Sequence, residues 1–123
     1  MRNQQMGTNY YAVRTRPTVE EPIHIGKSSW GWLFLFQEQD NLYHDPPVVW
    51  NRYDDVINWL QKYTVDNDLY AIVNEYDDIV SLDEFIDLVD EQQTDPDNLA
   101  NPNNFREGIK NVGGYRFEDQ WFC

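Results

Sequence analysis

A chain of 123 residues suits one domain, since domains commonly run to about 100–150 residues. Hydrophobic residues make up 41% and aromatics 15%, enough for a packed core and against wholesale disorder. Twenty-two Asp and Glu against nine Lys and Arg give a net charge of −13, which argues against phosphate-neutralising contact with nucleic acid and against docking on anionic membranes.

Residues 1–5 carry one arginine with no apolar stretch behind it, so no secretory signal is read there. Met6-Gly7 opens like a myristoylation site, but Tyr11 stands where Ser or Thr is required. Residues 9–14, aromatic and β-branched, predict a strand. Residues 16–22 form a loop bracketed by Pro17 and Pro22. Residues 23–25 predict a short strand stopped by Gly26, with Lys27, Ser28 and Ser29 as a hairpin turn. Residues 30–37 follow as the partner strand, with Trp30, Trp32, Phe34 and Phe36 on one face and Leu33 and Leu35 on the other. Two apolar faces place it centrally in a sheet. Its most apolar run, residues 33–36, is far short of the roughly 20 residues of a membrane helix.

A polar loop is expected over 39–47. Over 51–63, Tyr53, Val56, Ile57, Leu60 and Tyr63 recur at helical spacing, with Asp54 and Asp55 where carboxylates complement the helix dipole. Residues 69–73 and 79–80 predict a second hairpin. Ser81 and Glu84 form a capping box that opens a helix to about Gln92, with Leu82, Phe85, Ile86 and Val89 inward. Residues 115–122 are expected to return as an edge strand. The fold class is α+β: a small mixed or antiparallel sheet of about five strands with two amphipathic helices, in one domain over 1–123. Residues 1–8 and 94–104 are expected to be flexible.

Charge is unevenly spread. Residues 1–36 carry a net of +2, residues 98–123 balance, and residues 37–97 hold 17 carboxylates against Arg52 and Lys62, a net of −15. Apolar residues thread through that block, so its charge is displayed by folded elements rather than by a tail.

Met6-Gly7-Thr8-Asn9-Tyr10-Tyr11 and His24-Ile25-Gly26-Lys27-Ser28-Ser29-x-Gly31-Trp32 resemble the openings of a group of small proteins of tailed bacteriophages. Val73-Asn74-Glu75-Tyr76, then Ser81-x-x-Glu84-Phe85 and an aromatic C-terminal end, extend the resemblance over most of the chain. Some members carry a cysteine pair that suggests a metal knuckle, where this chain has Arg16-Pro17-Thr18; Trp30 replaces a small residue, and Cys123 a small polar end. The resemblance implies a phage accessory gene expressed in a bacterial cytoplasm. It supplies no activity and no catalytic residue.

Several patterns invite chemistry. Gly26-Lys27-Ser28 looks like the end of a phosphate loop, but Glu21 stands where the first glycine belongs. A looser anion or nucleotide site would gather His24, Lys27, Ser28 and Ser29 beside Trp32, with the indole stacking on a base. His24 and His44, near Asp40 and Asp45, match no metal-ligand spacing. Asp66-Asn67-Asp68 and Asp95-Pro96-Asp97 lack the glycine and glutamate of a calcium loop. Cys123, the lone cysteine, rules out an intrachain disulfide and a cysteine zinc site.

The acidic block is the strongest compositional signal. Asp54, Asp55, Asp66, Asp68, Glu75, Asp77, Asp78, Asp83, Glu84, Asp87, Asp90 and Glu91 fall on helices and turns whose other faces are apolar. Spaced carboxylates can occupy a basic groove, or simply keep the protein soluble. Five tryptophans suit either core packing or an aromatic patch on a partner surface or dimer seam. The leading expectation is a cytoplasmic, non-enzymatic binding protein without cofactor. It would occlude a basic host protein, one that handles nucleic acid or serves defence, through Asp54, Asp55, Glu75, Asp77, Asp78, Asp83, Asp87 and Asp90. The alternative is a small-ligand binding protein or enzyme that takes a nucleotide-like anion at the turn of His24, Lys27, Ser28 and Ser29.

Overall fold

This computed structural model describes residues 7–16, 20–29, 33–96, 100, 109–112 and 115–118, and among them nine strands and two longer α-helices follow one another. In chain order they are β1 (Thr8–Arg14), β2 (Ile23–Ser28), β3 (Leu35–Gln37), β4 (Gln39–Asn41), β5 (Val48–Trp50), α1 (Tyr53–Leu60), β6 (Tyr70–Asn74), β7 (Ile79–Val80), α2 (Leu82–Thr94), β8 (Ile109–Val112) and β9 (Tyr115–Glu118). Seven strands form one sheet in the order β7-β6-β1-β2-β3-β9-β8, and β4 pairs with β5 in a separate ribbon. All neighbours are antiparallel except β3 and β9, which run parallel. The α+β class holds, with a larger, mixed sheet. Among the described residues no helix is long and apolar enough to cross a membrane.

Alternation along each strand explains the layering. Tyr10 and Ala12 of β1, Ile23 and Ile25 of β2, Phe36 of β3, Tyr70 and Ile72 of β6 and Phe117 of β9 are buried in one cluster. Val56, Trp59 and Leu60 of α1 and Leu82, Phe85 and Val89 of α2 complete that cluster. Both helices therefore cover the same face of the sheet. Phe85 meets Tyr10 and Phe34 edge-on, at centroid distances of 5.7 and 5.4 Å. Thr8, expected to be flexible, belongs to β1; the rest of 1–8 other than Gly7, and most of 97–104, lie outside the described residues.

Three sequence expectations are corrected. Gly26 does not stop β2: a Cβ there would come within 2.4 Å of the Phe34 ring, so the glycine admits that ring while the strand continues. Lys27 and Ser28 are thus strand residues, opposite Asn9 and Thr8, rather than a turn. Residues 39–47 are not wholly loop, because β4 opens them and pairs with β5. β9 is not an edge, since it lies between β3 and β8, a strand the sequence reading did not predict. Helix α1 continues into a wider π-helical turn, Gln61–Asp66, where the Asn67 amide donates to the Lys62 carbonyl.

Candidate functional site

The capping box forms as the sequence predicts. Ser81 Oγ accepts from the Glu84 amide at 3.1 Å, and Glu84 returns the bond to the Ser81 amide. Hydrogen bonds from the Ser81 amide and side chain hold the Glu84 carboxyl below the usual carboxylate range. The box fixes the rotation of α2: Leu82, Phe85 and Val89 turn inward, and Asp83, Asp87 and Asp90 stand exposed at four- and three-residue spacing. No Lys or Arg lies on this helix, and Glu91 occupies its last turn.

Asp54 extends this surface from α1. Tyr53 and Tyr115 stack at 4.0 Å with their planes 3° apart. Burial pushes both phenols upward, Tyr53 to about 12, and the charges of Asp90 and Asp54 add to each shift. One carboxylate from each helix therefore acts on the stacked tyrosine pair. Asp55 is half-buried. Glu75, Asp77 and Asp78 are exposed at the β6–β7 turn and serve its geometry. Glu75 Oε1 accepts from the Asn9 amide and side chain at 2.7 and 3.1 Å. Asn74 Oδ1 accepts from the amides of Tyr76 and Asp78, and Asp77 takes a left-handed φ of 68°.

The residues of the anion alternative are spread along a strand. His24 is buried, and its Nε2 lies 2.9 Å from Asn9 Oδ1. Burial, helped by the nearby Lys27 charge and opposed by hydrogen bonds with the Gly26 backbone and Gln37, lowers its pKa to about 4, so it is uncharged at neutral pH. Ser28 Oγ accepts from Gln92 Nε2 at 2.8 Å. Ser29 follows the strand half-buried, and Trp32 lies outside the described residues. Trp50 and Trp59 are core residues, while Trp30, Trp121 and Cys123 lie outside the described residues.

Sequence reasoning missed a polar knot at the other end of β1. Glu20 Oε1 and Oε2 each lie 3.3 Å from Arg14 Nε. Oε1 also accepts from the Tyr70 hydroxyl, and Oε2 lies 3.1 Å from His44 Nε2. His44 Nδ1 is 2.7 Å from the Pro46 carbonyl, and Arg14 Nη2 donates to the Asp45 carbonyl at 3.0 Å. Burial and the Glu20 bond raise the Tyr70 hydroxyl's pKa strongly, so it stays protonated and donates. Glu20, His24, Gln39, Asn41, His44 and Val48 line an open cleft of about 330 Å³ beside this knot. Arg14 and Glu20 are six residues apart, but His44 and Tyr70 come from distant segments, so no local pattern announces the knot. Among the described residues no group of three or more His, Cys, Asp or Glu could hold a metal ion.

No protein-family model matches the chain, and neither a curated protein nor a solved structure shows significant similarity to it.

Proposed function

We propose that the chain is a non-enzymatic binding protein that occludes a basic surface of a partner protein through the carboxylates of α2 and the first turn of α1. One observation carries the reading: α2 turns Asp83, Asp87 and Asp90 to solvent with no basic residue among them. Carboxylates toward the C-terminal end of a helix run against its dipole at a cost of about 0.3–1 kcal/mol each. Solubility alone gives no reason to place Glu91 there. Complementary charge raises the association rate and makes a complex salt-sensitive. A basic groove on a host protein that handles nucleic acid or serves defence is the partner chemistry this surface fits. The resemblance to tailed-phage proteins supplies the setting, a bacterial cytoplasm.

The test compares wild type with an Asp83→Lys/Asp87→Lys/Asp90→Lys triple in affinity capture, each washed at low and then at high salt. A basic protein retained by wild type, released by salt and lost from the triple supports the proposal. A complex indifferent to both salt and charge reversal ends it.

A further inference from the structure

The β4–β5 ribbon has two faces set by strand alternation. Gln39 lies opposite Trp50 and Asn41 opposite Val48, with Trp50 and Val48 buried. Asp40 lies opposite Val49 on the other face, where Val49 is 45% exposed. Leu42, in the turn that follows β4, is 66% exposed, and Tyr43 beside it is 99% exposed. Three large apolar side chains, Leu42, Tyr43 and Val49, thus stand in water on this ribbon and the turn that joins its strands.

The backbone carrying them is held firmly. Trp50 Nε1 donates to the Gln37 carbonyl at 2.7 Å, and Trp59 Nε1 to the Pro47 carbonyl at 2.9 Å. His44, immediately after Tyr43, is clasped by Glu20 and the Pro46 carbonyl, and Arg14 holds the Asp45 carbonyl. An aromatic side chain on a braced loop loses little conformational freedom on docking, which is how interface anchors gain affinity. Residues 38–51 contain Glu38, Asp40 and Asp45 and no Lys or Arg, and Arg14, which reaches this loop, is paired with Glu20, so the balance of charge around the tip is acidic.

We infer that Leu42 and Tyr43 are the apolar anchor of a protein interface, inserted into a pocket of the partner that is apolar within and rimmed by Lys or Arg. The occupant is a protein because the surrounding charge repels anionic lipid and nucleic acid and complements a basic rim. The inference rests on reading the chain as a binding protein and adds a contact that the acidic helix face does not contain. Exposed Leu and Tyr have few intramolecular contacts to lose, so Tyr43→Ala and Leu42→Ser are expected to leave the melting temperature unchanged.

A photo-crosslinking phenylalanine derivative is placed at position 43 and, as a control, at the exposed apolar Val65. A protein crosslinked from 43 and not from 65, in a lysate of the cell that makes the chain, is then purified and titrated. Tyr43→Ala is expected to weaken its affinity by about 30-fold or more, as central aromatic anchors do. Val65→Ser should change it less than about twofold, the behaviour of a residue outside the interface. The inference is overturned by an unchanged affinity in Tyr43→Ala or by no crosslink specific to position 43. A crosslink only to a second copy, or binding only to anionic vesicles, overturns it as well. The triple charge reversal separates the two proposals. Loss of binding in the triple alone leaves the acidic face and removes the tip; loss in Tyr43→Ala alone does the reverse.

Discussion

Glu20 and Asp87 are both carboxylates, and the fold uses them in opposite ways. Glu20 is mostly covered and meets Arg14, His44 and Tyr70, so its charge ties the start of β2, the ribbon loop, β1 and β6 together. Asp87, like its neighbours Asp83 and Asp90, faces solvent from a helix whose opposite side fills the core. One charge is committed inside the molecule and the other is left for something outside it. A committed charge is costly to remove because its partners are left without compensation. A displayed charge contributes little to stability, so stability alone does not account for it. His24 belongs with the committed groups, neutral beside Asn9.

The effects of disturbing each group therefore differ in size. The largest belongs to His24. Above pH 6.5 neither the folded nor the unfolded chain holds its proton. As pH falls from 6.5 toward the folded value of about 4, the unfolded chain takes up a proton that the folded chain refuses. Stability is therefore lost on acidification, reaching about 3 kcal/mol near pH 4 at 1.36 kcal/mol per unit. Urea titrations at pH 7 and pH 4.5 should show a smaller acid loss in His24→Gln than in wild type. Equal losses would remove His24 from the committed set.

Next comes Glu20→Gln, which leaves Arg14 and His44 facing a neutral amide. The site is partly solvated, so a loss of about 2 kcal/mol is expected, below the range for fully buried pairs. Denaturant unfolding reads this directly, and a loss under about 0.5 kcal/mol would show the knot to be ordinary surface charge. The smallest effect is expected for Asp87→Asn/Asp90→Asn, within about 0.5 kcal/mol of wild type. A marked destabilisation of that pair would give these carboxylates a structural task and blur the contrast with Glu20. An unchanged stability joined to a lost salt-sensitive complex would sharpen it.

Local rules wrote much of this protein openly. The capping box, the inward side of α2, the helical periodicity of 53–60 and the β6–β7 hairpin depend on residues within one or two turns of each other. The spacing that buries Leu82, Phe85 and Val89 necessarily turns Asp83, Asp87 and Asp90 outward, so the acidic face of α2 could be read before the fold was known. Other features depended on what the chain brings together from afar. Gly26 looked like a stop until Phe34, just ahead of the next strand, filled the space over it. β9 looked like an edge because parallel pairing with β3 and cover by β8 leave no local mark. The Glu20 knot draws on Arg14, His44 and Tyr70, and the exposure of Tyr43 follows from the braced loop that carries it. Periodicity is a property of one segment and survives in the sequence. Pairing across the sheet and charge neutralisation between distant segments exist only once the chain has closed on itself, and only the tertiary structure decides them.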